Sequence, residues 1–580
     1  MFPLVVLAFW GPDWYYLDMS SIVGKKQDGK TYYYLVTSGR VDGKPRIVDQ
    51  QYLGSADEVM AKLAGTPAGD PVRTAHKKFG DLAAVWSMLD RLNVVDTVDA
   101  VAPRRADAAA SVGAYIALAT ANRIVAPCSK LAFADWWATT AGPRWVKLPA
   151  GALDHRKFWK AMDRLDETDL RLIETRLGKA MVARFGLDCS ALALDMTNFA
   201  TFIDSANERA PIAQRGKAKQ KRLDLRLVAL ALVVTRDGGV PLVSHAYPGD
   251  RPDVTQFTTV IDELVARYRD LAGGVESLTV VYDAGQNSAD NHALVEKAGI
   301  GFVGSLPPSQ HLDLLAVPAT DYQNVDADRY PGLTCVDTTV TALGVTRRAV
   351  MTHSPTLHAA QSRGFDQTLA KAGRQLGELA ELLGRGKTRR ERAAVQANID
   401  TICRPTWVRE VITTTLTGDK PAHLRLTWTT DDAARQRVEE RIFGKRILFT
   451  NRQDWPTADV VAAYRSQSEV ESGFRQMKDP HVASFGPMHH WTDSKIRVHV
   501  FYCVLALTIA HLMRREAENA GLRMSVRELL TTLGGIEETV LLYHDGGKGR
   551  PRARRMLTDM TPAQRRLADL FNTDQYAPTR

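Results

Sequence analysis

Residues 225–244 read LRLVALALVVTRDGGVPLVS. Leu227–Val234 is apolar without a break, Arg236-Asp237-Gly238-Gly239 turns the chain, and Val240–Ser244 resumes the pattern. A strand that is apolar at every position, instead of at alternate ones, is covered on both faces. This stretch therefore predicts the middle of a sheet flanked by helices. Working outward, Ala191–Leu194 is a strand that stops at Asp195, and residues 254–271 carry helical spacing (Phe257, Ile261, Leu264, Tyr268, Leu271). Leu278–Tyr282 is a buried strand that stops at Asp283, residues 288–298 form a helix, and Gly301–Leu306 is a further strand. Three strands, helix, strand, helix, strand is the order of a mixed α/β sheet.

The remaining chain divides around this centre. Residues 1–55 predict short strands, with Asp42-Gly43 as a hairpin signal. Residues 56–185 predict a helical, DNA-binding candidate domain, and 186–308 the first part of the α/β core. Residues 309–452 predict an inserted body, with helical stretches at 365–400 and β-like stretches at 407–416, 422–430 and 446–450. Residues 453–515 return to the core through a helix from about Thr457 to Met477 and an apolar helix at 496–513. Residues 516–580 predict a helical and basic tail.

Composition excludes several classes. The longest apolar runs, Leu227–Val234 and Val500–Leu507, are eight residues each, against the ~20 of a membrane span. The opening MFPLVVLAFWG lacks the basic start and small-residue cleavage site of a secretory signal. Five scattered cysteines without a CxxC support neither a disulfide framework nor a cysteine zinc site, so a cytoplasmic setting is expected. The net charge of +9 is modest for 580 residues, but the cations cluster at 215–226, 385–392 and 548–555. One such run is a solvated loop; three without acidic counterparts point to a polyanion.

The chemistry-bearing residues are acids. Asp195 and Asp283 close apolar strands, where ligands of open α/β sheets gather. In YRSQSEVESGFRQMKD, Tyr464, Glu471 and Lys478 recur at seven-residue spacing, Gln467 joins their stripe, and Arg475 lies one turn after Glu471. Glu469 points elsewhere. Read alone, the stripe is also that of a surface helix with internal charge pairs. Three carboxylates converging on one sheet edge would repel unless cations neutralise them, and hard oxygen donors suit Mg²⁺ or Mn²⁺. Two such ions serve in-line phosphoryl displacement.

These residues resemble the DDE transposases of bacterial insertion sequences, in the branch whose third acid lies in a Y-x2-R-x3-E-x6-K helix. The matching stretches are LALDMTNF with Asp195 and Thr197, VVYDAGQNSADN with Asp283, Gly285 and Asn287, and the helix with Tyr464, Gln467, Glu471 and Lys478. Between the first two acids, Gly249 and Asp253 match a G-x3-D ending. GFVGSL (301–306), VHVFYCVLALTIAHLM (498–513) and YYYLVTSGRVDGKPRIVDQQYLG (32–54) extend the resemblance. It implies a ribonuclease-H-like catalytic core with a β-containing insertion. It also implies catalysis and metal binding by Asp195, Asp283 and Glu471 with two Mg²⁺ or Mn²⁺ ions, and DNA contacts by Tyr464, Gln467, Arg475 and Lys478. The implied partners are double-stranded DNA, as element ends and target, and a second copy in a homodimer; no membrane is implied. A nuclease of the same core without strand transfer, and an inactive DNA-binding derivative, remain alternatives. The motif's arginine is Gln467 here, which leaves its role to Arg475.

Other signals are discounted. GRGKT (384–388) ends like a P-loop, but Glu381 stands where its first glycine belongs. His489-His490 lacks a metal-binding frame and is expected to face solvent or DNA. Trp136-Trp137, Trp407, Trp428 and Trp455 are expected to pack cores.

Overall fold

A computed structural model of the chain describes residues 19–27, 29–41, 44–63, 71–217, 224–272, 277–387, 389–543 and 552–579. The Asp42-Gly43 turn, residues 218–223 of the first basic run, Thr388 in the second and 548–551 of the third lie outside them. The chain divides into two compact units, one spanning Lys78–Glu537 and Asp559–Ala577, the other Met1–Lys77, Glu538–Thr558 and Pro578–Arg580.

The larger unit holds a nine-stranded mixed sheet. Its strands are β1 (Ala191–Thr201), β2 (Arg226–Thr235), β3 (Pro241–Pro248), β4 (Thr279–Val281), β5 (Gly301–Leu306), β6 (Gln323–Asn324), β7 (Thr334–Ala342), β8 (Val345–His353) and β9 (Lys445–Thr450). Their order is β6-β7-β8-β9-β5-β4-β1-β2-β3. β2 runs antiparallel to both β1 and β3, whereas β4 runs parallel to both β1 and β5. This is the mixed α/β, ribonuclease-H-like core expected from residues 191–306. Every residue of β2 from Leu227 to Thr235 is buried, as an unbroken apolar strand requires.

The helices around this core are α1 (Asp253–Ala272), α2 (Ala289–Lys297), α3 (Thr457–Arg465), α4 (Gln467–Lys478) and α5 (Asp493–Asn519). α1 sets Phe257 against Tyr282, ring centres 5.1 Å apart. α5 is long and apolar enough to cross a membrane, with mean hydropathy 1.7, yet 94% of that window is buried inside the fold. It is a core helix. Its neighbour α4 approaches closely at Gly473, where a Cβ would stand 3.2 Å from the Leu507 side chain. Ahead of β1, helices at Gly80–Arg91, Val94–Asp99, Val112–Val125, Phe133–Ala138, His155–Met162 and Glu167–Phe185 supply the predicted helical stretch. The five cysteines are unpaired.

Three expectations are corrected. First, 309–452 is not a body apart from the sheet, because β6, β7, β8 and β9 continue it beyond β5. β7 (TCVDTTVTA) and β8 (VTRRAVMTH) have neither an unbroken apolar run like that of β2 nor strict alternation, which weakens their strand signal. The excursion from the sheet is 354–444. It holds helices Pro355–Gly384, Arg392–Ile402 and Asp432–Ile442 and a hairpin of Ile412–Thr417 with Arg425–Thr430. Second, the helix predicted from Thr457 to Met477 is two helices meeting at Ser466. Its backbone stays near helical (φ −64°, ψ −13°) and its Oγ donates to the Ala463 carbonyl at 2.6 Å.

Third, the basic tail contains strands. In the smaller unit, Glu537–Tyr543 pairs with Arg552–Leu557 and with Arg73–Lys78 in a three-stranded sheet. Arg555 of the third basic run donates to fully buried Glu538 at 2.6 Å, so part of that run is structural. The same unit carries the N-terminal antiparallel strands Met19–Gln27, Lys30–Val41 and Lys44–Ser55 and helix Ala56–Leu63.

Candidate active site

The parallel ladder between β1 and β4 pairs Ala191 with Thr279, Leu192 with Val280 and Ala193 with Val281. Two residues past the last of these pairs on each chain lie Asp195, still inside β1, and Asp283, just beyond the end of β4. Asp195 is not a strand end: β1 runs on to Thr201, paired with β2 throughout. What ends at this level is its parallel partner, so the carboxylate stands where the sheet opens.

The residues around Asp283 explain why the chain turns there. Asp283 Oδ1 accepts the Gly285 N–H at 2.9 Å, capping a 3-10 turn over Ala284–Gln286. A Cβ at Gly285 would come 3.0 Å from that oxygen. Asn287 donates to the Ser305 carbonyl of β5 at 2.8 Å, and Ser288 Oγ caps α2 by accepting the Asn291 N–H at 3.1 Å. Gly249 packs so tightly that a Cβ would lie 2.2 Å from the Leu227 carbonyl oxygen. Asp253, opening α1, accepts the Tyr247 hydroxyl at 2.7 Å.

Helix α4 is fastened to β1 at both ends. Gln467 Nε2 donates to the Leu194 carbonyl at 3.0 Å, and Lys478 Nζ donates to Thr197 Oγ1 at 2.7 Å. Thr197 shares a strand face with Asp195. Glu471 lies one turn after Gln467. It borders a cavity of about 600 Å³ together with Asp283, Ser305, Tyr464 and Gln467. Two cations outside the predicted site also border it: Arg446 of β9, 5.6 Å from the Tyr464 ring centre, and Arg465 of α3, 4.4 Å from that of Tyr330. Arg446 had no signal in the primary structure, since only the pairing of β9 with β5 brings it here. Arg465 sits two positions off the stripe, and the pause at Ser466 brings it in.

The other motif residues go elsewhere. Arg475 is exposed and does not border the cavity, and Lys478 is engaged by Thr197. Glu469 turns the other way and meets Arg514 at 2.6 Å. Gln467 is 7% exposed; with Nε2 bound to Leu194, its Oε1 is buried without a partner.

The donor set fits a divalent cation in kind: three carboxylates plus an orphaned amide oxygen are hard oxygen ligands. As placed, no three His, Cys, Asp or Glu among the described residues form a metal-holding group. Asp195 Oδ1 accepts the Met196 N–H at 2.7 Å, and Asp283 Oδ1 accepts that of Gly285.

A family model described as Transposase DDE domain matches residues 190–509, more than half of the chain. A search of curated proteins returns no match. Among solved structures, a cryo-EM structure of a piggyBac transposase synaptic complex with hairpin DNA is similar at a TM-score of 0.37 and 8% identity, covering 80% of this chain and 82% of that one. A likeness that distant bears no weight here. The family match spans both strand aspartates, the sheet between them and the helix of the third acid, and the chain belongs to the Transposase DDE domain family.

Proposed function

We propose that this chain is the transposase of a bacterial insertion sequence. It cleaves DNA at the element's ends and joins the resulting 3′-OH to target DNA. Asp195, Asp283 and Glu471 are its metal-holding acids. The observation that supports this most is that Asp195 and Asp283 each follow the parallel β1–β4 ladder by two residues, with Glu471 bordering the same cavity as Asp283. When bound, two Mg²⁺ or Mn²⁺ ions would neutralise these carboxylates and the charge developing on the scissile phosphate. The protein's own contribution is position. β1 and β4 fix the aspartates, and α4, pinned at Leu194 and Thr197, fixes Glu471.

Phosphate oxygens only accept hydrogen bonds, so they need donors. Gln467 uses its amide N–H on Leu194 and offers the cavity an acceptor, so we assign it to holding α4 on β1 in place of a DNA contact. Arg446 and Arg465, which border the cavity with Tyr464, take over the phosphate-holding role. Arg475, Lys478 and the helical stretch within 56–185 are left as DNA contacts outside the cavity. The working form is a homodimer on paired ends in the bacterial cytoplasm.

The test is nicking and joining with supercoiled DNA carrying the element's ends. The wild-type chain should nick in Mg²⁺ but not in EDTA, and should join a pre-cut 3′ end to a plasmid. Nicking without joining would reduce the assignment to a nuclease. Binding without nicking would make the chain an inactive derivative.

A further inference from the structure

A second cavity in the larger unit, of about 360 Å³, has the opposite character. It is bordered by Arg123, Ser129, Lys130, Trp159, His490 and Tyr502 among others, and no Asp or Glu borders it. Lys130 is 7% exposed and Arg123 1%. Two buried cations without a carboxylate are costly, because burial removes their hydration and no opposite charge offsets the loss.

Hydrogen bonding sharpens the point. Lys130 Nζ, Arg123 Nε and Trp159 Nε1 are all buried without a partner. All three are N–H donors, and three residues bordering one cavity contribute them. The rest of the Arg123 guanidinium is held in place, with Nη1 donating to the Gly486 carbonyl at 2.6 Å and Nη2 to the Cys128 carbonyl at 2.8 Å. Lys130 is steered by rings: Nζ lies 4.6 Å from the centres of Phe158 and Tyr502 and 5.3 Å from Phe133. Contacts of that kind orient an ammonium but accept no conventional hydrogen bond. Burial and the nearby Arg123 charge push the Lys130 amine well below its ordinary range, as expected of a cation lacking its counter-ion. His490, expected at the surface, is buried at this cavity's wall, while Leu131 and His489 are exposed at its rim.

From these orphaned donors and the missing acid we propose that this cavity binds a phosphate group. Only a ligand that accepts at several oxygens and carries negative charge answers three N–H donors and two cations at once. A DNA backbone phosphate and free inorganic phosphate present the same oxygens. The site does not depend on the roles assigned to Asp195, Asp283 and Glu471.

The experiment follows thermal unfolding of the full chain while inorganic phosphate replaces chloride at constant ionic strength. A second arm measures duplex DNA affinity at several salt concentrations. If free phosphate is the ligand, the wild-type midpoint rises with phosphate. Lys130→Met then weakens the apparent affinity roughly ten- to a hundredfold, as for a lost charged hydrogen bond. The Arg446→Ala, Arg465→Ala double variant keeps the response, which separates this cavity from the carboxylate one. If the backbone is the ligand, Lys130→Met instead lowers DNA affinity and reduces the salt slope by about one. Should Lys130→Met lose cooperative unfolding, Trp159→Phe, which removes one N–H and keeps the ring, decides in its place. No response of the wild type to phosphate with unchanged DNA binding in the variants overturns the proposal. So does a phosphate response that Lys130→Met and Trp159→Phe leave intact.

Discussion

Two cavities of the larger unit are chemical opposites. One gathers exposed carboxylates, Asp283 and Glu471, on a rigid sheet edge and its fastened helix; the other gathers buried N–H donors, Lys130, Arg123 and Trp159, with no acid. The first sets Arg446 and Arg465 beside its acids, whereas no acid borders the second. A protein that handles phosphodiesters needs both kinds of surface, one to stabilise the reacting group and one to hold the strand. The difference also predicts how each responds to substitution. Removing a carboxylate should remove chemistry and spare binding, whereas removing a buried donor should change affinity and stability.

The largest expected effect falls on the acids. Asp283→Asn and Glu471→Gln should each cut Mg²⁺-dependent nicking on the order of a thousandfold, and the double variant should be little worse, because groups that act as a unit fail together. Affinity for end DNA should stay within a few-fold of wild type. Glu469→Gln, altering a carboxylate turned toward Arg514, should retain nicking. If Glu469→Gln loses nicking and Glu471→Gln does not, the helix register is wrong.

The cations bordering the acids come next. Arg446→Ala with Arg465→Ala should weaken end-DNA binding about tenfold at low salt and reduce the salt slope by up to two units, one for each lost phosphate contact. Binding that is unchanged in affinity and slope would return the phosphate-holding role to Arg475.

A smaller effect concerns Gln467. Arginine was the motif residue expected there, but the side chain is buried and bound to Leu194. Gln467→Arg should therefore crowd the contact between α4 and β1, lowering stability by ~1–3 kcal/mol without raising DNA affinity. A gain in affinity for the element's ends would restore Gln467 to the list of DNA contacts.

Acid should loosen the fold near both cavities. Burial, then the charges of Lys130 and Arg123, push His490 down to about 3; burial, then Arg514, does the same to His511. Their folded-state values lie below the unfolded value near 6.5, so the unfolded chain binds more protons. Stability is then full above pH 6.5 and is lost as pH falls toward 3, by ~1.4 kcal/mol per pH unit for each histidine. Denaturant unfolding at pH 7.5, 6.5 and 5.5 checks this; a flat profile would mean that neither ring is held neutral.

Asp283 and Glu471, which border the carboxylate cavity, were marked in the sequence because their signals are local. Apolar runs stop at or near Asp195 and Asp283, and the seven-residue spacing marks Glu471 whether or not the helix pauses at Ser466. The extent of the sheet was not legible. β7 and β8 are half polar, and β9 joins the core only by pairing with β5 across more than a hundred residues of chain. The donor cavity was illegible for the same physical reason carried further. Arg123 and Lys130 are seven residues apart, but Trp159 and His490 come from other segments, and each alone reads as an ordinary helix or loop residue. Only burial without a partner distinguishes them, and burial is a property of the folded chain.

Asp195 is the acid on which the account rests, since it follows the β1–β4 ladder by two residues, as Asp283 does, but does not itself border the carboxylate cavity. The most direct measurement is Mn²⁺ binding by calorimetry to the full chain on end DNA, for wild type and for Asp195→Asn, Asp283→Asn and Glu471→Gln. If the three acids form one cation-holding set, each substitution lowers Mn²⁺ affinity or stoichiometry, Asp195→Asn as much as the others. Wild-type Mn²⁺ binding in Asp195→Asn would show that the first aspartate stands outside the site and would contradict the account.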